Sequence, residues 1–171
     1  MSSHAASRVS EASLRAHGDR VALESPTCSL RYRTFAGRAR AVADLLGEMP
    51  VAPGERVAIL SRARHHDEAV ALAGIHLCGA SAVPLDPTAP HARHASILRR
   101  AGCRALIHDA AALTEASRHT HVSRIELDEE GFVLASISPS VALADDADPI
   151  PPPALDEAML LHTSGTTAAP K

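Results

Sequence analysis

Thr163, Ser164, Thr166 and Thr167 set four hydroxyls around Gly165 in the stretch "HTSGTTAAPK", residues 162–171, and Lys171 follows them. Gly165 carries no side chain to hold a ligand away from the backbone, and successive amides in a turn form a concavity that suits an anion. The lysine adds a positive charge to the same place. The order differs from the GxxxxGK[ST] phosphate loop, in which the lysine precedes the hydroxyl. It differs also from the GxSxG serine elbow, so no nucleophilic serine is assigned. On residue chemistry alone the stretch serves equally as an anion-binding loop or as a surface connector.

Other chemistry-bearing groups are less complete. His91-x-x-His94 has helical spacing, and His65-His66 and His119-x-His121 add imidazoles. No carboxylate or cysteine completes a ligand set at familiar spacing, so they are expected to be surface histidines and no metal ligand is assigned. Asp145, Asp146 and Asp148 lack the glycine and distal glutamate of an EF-hand loop. Cys28, Cys78 and Cys103 are odd in number and contain no CxxC, which fits a reduced, cytoplasmic protein. Cys103 is expected to be buried near a strand start.

The elements that must position the terminal loop alternate. Strands are expected at 21–24 and 29–33, then a helix from an N-cap at Thr34 through Phe35, Ala39, Val42 and Leu46 to near Gly47. After a Pro53-Gly54 turn, 57–60 is a continuous apolar run of the kind that fills a parallel strand covered on both faces. Residues 67–78 read as a buried helix, 82–85 as a strand ended by Pro84, and 91–101 as a helix opened by Pro90. Strands at 104–107 and 122–127 flank a helix at 110–118, and a last strand at 158–162 delivers the loop. The pattern predicts an α/β fold with a partial, mainly parallel sheet flanked by helices. Residues 136–154, rich in Ser, Pro, Asp and Ala, read as a flexible linker.

The chain has 171 residues, a formal charge of −3 and 2% aromatics. Such a balance offers neither a basic footprint nor stacking platforms, so no nucleic-acid partner is expected. The N-terminus has no apolar core of a secretory signal, and the most apolar stretch is too short for a membrane span.

The terminal stretch resembles the phosphate-loop signature of the AMP-forming adenylate ligases, Tyr-Thr-Ser-Gly-Thr-Thr-Gly-x-Pro-Lys-Gly. This superfamily includes the acyl-CoA synthetases and the adenylation domains of nonribosomal peptide synthetases. Thr163, Ser164, Gly165, Thr166, Thr167, Pro170 and Lys171 match it, while His162 replaces the usual aromatic and Ala168 the second glycine. "LRYRTF", residues 30–35, is similar to an early segment of the family. So is "HLCGASAVPLDPTAPHARHASILRRAGCRALI", residues 76–107, through Gly79, Val83, Pro84, Leu85, Asp86, Pro87, Pro90 and Arg93.

The resemblance implies an incomplete N-terminal domain of the adenylate-forming ligase fold over residues 1–171. It implies ATP with Mg2+ as co-substrate, and a carboxylic or amino acid made into an acyl-adenylate. CoA or a carrier-protein phosphopantetheine is the implied thiol acceptor. Thr163, Ser164, Gly165, Thr166, Thr167 and Lys171 would contact the ATP phosphates. The family's adenine, ribose, metal and carboxylate contacts and its catalytic lysine lie beyond Lys171, so no catalytic residue is assigned. The chain is expected to be a fragment of a longer ligase, inactive alone. The alternative is a non-catalytic nucleotide-binding or interaction module derived from that family.

Overall fold

The computed structural model describes residues 11–26, 28–49, 51–62, 65–127, 133–136, 150–151 and 157–162. A short helix α1 (Glu11–Arg15) precedes a hairpin of β1 (Val21–Ser25) and β2 (Cys28–Arg31), and β2 runs directly into α2 (Tyr32–Glu48). Thr34 is therefore not the cap expected of it. The cap position is Arg31, with no capping side chain. The backbone supplies the partners instead: the N–H of Tyr32 donates to Arg20 O and that of Arg33 to Gly18 O, both at 2.9 Å.

There follow β3 (Arg56–Leu60), α3 (His65–Leu77), β4 (Ser81–Pro84), α4 (His91–Arg100) and β5 (Ala105–Asp109). A 3-10 turn (Ala110–Ala112) leads into α5 (Leu113–Ala116), then β6 (Ser123–Leu127) and β7 (Val133–Ser136). Pro90 stands at the N-cap of α4, one place before the helix. The sheet order is β4-β3-β5-β6-β7, with β4, β3, β5 and β6 parallel and β7 antiparallel on β6. The four parallel strands bear out the α/β reading; β7 was not anticipated.

The period of two divides each strand between two cores. Val57, Ile59, Ala82, Ala105, Ile107 and Ile125 face α2 and α3. Ala58, Leu60, Val83 and Leu106 face the side of α4 and α5, where Ile97, Leu98, Ala112 and Ala116 meet them. α2 buries the expected stripe of Phe35, Ala39, Val42 and Leu46. Gly74 of α3 lies against it so closely that an added Cβ would stand 2.5 Å from Val42 Cγ1 and 2.8 Å from Ala39 O. Gly79 and Gly102 end α3 and α4 with φ of 83° and 64°, conformations that favour glycine. Among the described residues no helix is long and apolar enough to cross a membrane.

Candidate functional site

The approach to the terminal loop, residues 157–162, lies along the free edge of β4. The N–H of Ala82 donates to Ala158 O at 3.0 Å and that of Leu160 to Ala82 O at 2.8 Å, around a parallel bridge between Ala82 and Met159. The expected strand at 158–162 runs in the expected direction but is reduced to this one bridge. Continuing the ladder would require an N–H from residue 84, and Pro84 has none. Because the approach is parallel to β4, it leads the chain toward the carboxyl ends of the parallel strands. There, open α/β sheets take their ligands.

A buried ion pair fixes this segment. Arg56, 3% exposed, donates through Nε and Nη2 to the two carboxylate oxygens of Glu157, each at 2.7 Å. Ser81 Oγ donates to Glu157 Oε1 at 2.7 Å, and Arg56 Nη1 donates to Ala101 O at 3.2 Å. The hydrogen bonds from Arg56 hold the Glu157 carboxyl below its ordinary range against the opposing effect of burial. His76 Nε2 lies 3.1 Å from Ala158 O and adds a tie from α3. His162 closes the approach with both ring nitrogens buried and without hydrogen-bond partners. Burial, then the charges of Arg100 and Arg93, push its pKa down, so the ring is neutral where the family motif has an aromatic.

Thr163, Ser164, Gly165, Thr166, Thr167 and Lys171 lie outside the described residues, as do Asp145, Asp146 and Asp148, and all of the 136–154 stretch except residues 136, 150 and 151. The upstream motif residues sit at packing positions: Val83 and Leu85 are buried and Gly79 ends a helix. Cys103 is buried, and burial drives its thiol up to about 12, which leaves it inert as a nucleophile.

The order reverses between β3 and β5, where a doubly wound sheet opens a crevice. Here Asp109 bridges the two strand ends. Its Oδ2 accepts from Ser61 Oγ at 2.9 Å and from the N–H of Arg62 at 2.8 Å, while Oδ1 caps Ala112 N–H at 2.9 Å. A separate groove of about 610 Å³, lined by Gly18, Arg33, Gly37, Arg40 and Asp44, shares no residue with the approach.

The histidines depart from expectation. His94 and His119 are fully buried, and Glu115, remote in sequence from His91 and His94, supplies the carboxylate that local spacing did not show. Tertiary packing of α4 on α5 brings them together, so the sequence signal was confined to the imidazoles.

Residues 10–171 match the family model described as AMP-binding enzyme. The isonitrile lipopeptide synthase of Streptomyces coeruleorubidus is 34% identical over 90% of this chain and 10% of its own length. The phosphinothricin tripeptide synthetase PhsC of Streptomyces viridochromogenes is 33% identical over 95% of this chain and 14% of its own. The fold matches O-succinylbenzoate coenzyme A synthetase of Bacillus subtilis, solved with AMP, at TM-score 0.68 and 24% identity. That match covers 94% of this chain and 40% of the other. The chain thus spans only a small part of the curated relatives it matches.

Proposed function

The chain belongs to the AMP-binding enzyme family, and from that premise we propose that it supplies the phosphate-contacting part of an AMP-forming ligase. The enzyme activates a carboxylic or amino acid and passes it to a thiol of CoA or of a carrier protein. In that reaction a carboxylate oxygen attacks the α-phosphorus of ATP, the bond to the bridging oxygen breaks, and pyrophosphate leaves. Negative charge grows on the pyrophosphate. The hydroxyls of Thr163, Ser164, Thr166 and Thr167, amides about Gly165, and the ammonium of Lys171 are the groups that would take up that charge.

The observation that carries this reading is the course of residues 157–162. Pinned by Glu157 on Arg56 and Ser81, they run parallel to β4 and head toward the carboxyl end of the sheet. ATP fits this approach, since it presents neutral His162, and its one carboxylate, Glu157, is paired with Arg56. Mg2+ would neutralise phosphate charge when bound with ATP. Glu157 is the one carboxylate of the approach, and both its oxygens are engaged by Arg56 and Ser81, so no Mg2+ ligand is assigned in residues 157–162. Cys28, Cys78 and Cys103 are not joined in disulfides, which accords with a cytoplasmic setting.

The test is carboxylate-dependent ATP–pyrophosphate exchange. It is run on the polypeptide captured from its own host with an antibody to this chain, and on the 171-residue chain alone. Exchange by the host polypeptide with particular carboxylic or amino acids, and none by the chain alone, is expected. ATP binding by the host polypeptide without exchange would favour a non-catalytic nucleotide-binding module.

A further inference from the structure

Three imidazole nitrogens converge on one carboxylate oxygen at the junction of α4 with α5. Glu115 Oε1 lies 3.0 Å from His91 Nδ1, 3.4 Å from His94 Nδ1 and 3.6 Å from His119 Nε2. Its other oxygen, Oε2, faces Arg118 Nη1 at 3.5 Å, which leaves Oε1 to the imidazoles. His91 and His119 stack with ring centroids 4.5 Å apart, and His121 meets His119 edge-on at 6.0 Å.

Two features of the hydrogen bonding go beyond a polar cluster. His94 Nε2 stands 2.7 Å from Asp86 O, and a carbonyl oxygen only accepts, so that nitrogen carries the proton. In the neutral ring Nδ1 is then a bare lone pair, and it faces the Glu115 carboxylate at 3.4 Å. Two electron-rich atoms so placed require a cation between them. A backbone carbonyl holding the far nitrogen of an imidazole is also the arrangement that orients histidine toward a metal. Secondly, the His119 side chain is 0% exposed and neither of its ring nitrogens has a hydrogen-bond partner. Buried imidazoles are ordinarily satisfied; here Nε2 is aimed at the same oxygen.

We infer that His91, Glu115 and His119 form a site for a divalent transition-metal ion of the zinc class, with His94 beside it. The ligating atoms of the first three lie within 4.8 Å of one another. Around a tetrahedral Zn2+ with bonds of about 2.0–2.1 Å, ligand atoms stand about 3.3 Å apart. The separations of 3.0 Å to His91 and 3.6 Å to His119 about Glu115 Oε1 bracket that value. Imidazole donors select Zn2+, Co2+ or Ni2+ over Mg2+, so this ion is distinct from the one that accompanies ATP. The ion would tie the start of α4 to α5 and the turn after it.

The competing occupant is a shared proton, and one titration separates the two. The full chain, free of any histidine tag and stripped with chelator, is titrated with Co2+, read by its visible d–d absorption and then by displacement with Zn2+. One equivalent in a low-symmetry, intensely absorbing site is expected. His91→Ala and Glu115→Gln should each weaken binding at least tenfold, by analogy with the roughly 10–100-fold losses that supporting residues of metal sites show. His17→Ala, at an exposed histidine elsewhere, should leave it unchanged. His91 is 40% exposed, so its removal opens no buried cavity, and circular dichroism establishes that the variant is folded. Absence of stoichiometric binding by the folded chain, or affinity unchanged from the parent in His91→Ala and Glu115→Gln, would overturn the site and leave a proton-shared cluster.

Discussion

Glu157 is the residue on which the candidate site depends within the described chain. Replacing it with alanine leaves the Arg56 guanidinium, 3% exposed, without its charge partner. Breaking a buried pair in this way costs about 3–5 kcal/mol, and the 18% exposure of Glu157 places the expected loss near the lower figure. Urea denaturation of Glu157→Ala against the parent chain checks this. The effect carries a pH signature. The folded-state pKa of Glu157 lies below its ordinary 4.5, so the unfolded chain binds the extra proton first as pH falls. The contribution is complete above pH 4.5 and is lost as pH drops through the depressed value; the parent and variant should therefore converge in acid. In the loop, Lys171→Ala in the host polypeptide should slow exchange about 100-fold, the scale of losing one preorganised donor to a developing anion. The hydroxyls around Gly165 mark the loop in the sequence, and it lies outside the described residues. The Arg56–Glu157 pair was not, because the two residues are joined only by the docking of 157–162 on the sheet, and nothing local marks either.

At the scale of elements, the contact of α2 with α3 is set by a missing side chain. Gly74→Ala would place a methyl 2.5 Å from Val42 Cγ1 and 2.8 Å from Ala39 O, and the latter is backbone that cannot rotate away. Overpacking of this kind costs about 1–3 kcal/mol. Thermal unfolding of Gly74→Ala should show a lower midpoint, whereas Gly47→Ala, whose Cβ meets nothing within 4 Å, should not. The apolar run at 57–60, the short strand at 104–107 and the helical stripe from Phe35 to Leu46 were readable because burial imposes their patterns. β7 escaped because four residues beside a Ser- and Pro-rich stretch carry too little pattern, and its pairing with β6 is a tertiary fact. The Thr34 cap failed because carbonyls of Arg20 and Gly18 already satisfy the helix start.

For the whole molecule, the chain's own helices cover both faces of its sheet, and the large apolar side chains left exposed include Met159 at 37% and Leu161 at 69%. Both lie on the approach, beside a β4 edge that Pro84 keeps from pairing further. An apolar group on an incompletely paired edge promotes association. Leu161→Lys should reduce self-association of the isolated chain in light scattering; unchanged scattering would place the sticky surface elsewhere. The α/β class was legible because alternating strands and helices leave few other solutions. The imidazole–Glu115 cluster was not, since only the packing of α4 on α5 assembles it.

The most direct test of the account is photo-crosslinking with an ATP analogue that bears a photoreactive group on its γ-phosphate. The polypeptide captured from the host is irradiated with the analogue, digested, and the labelled peptide identified by mass spectrometry. The account predicts label within residues 163–171, suppressed by excess ATP. ATP-competed label confined to another surface, such as the groove around Arg33 and Arg40, or no competed label at all, would contradict it.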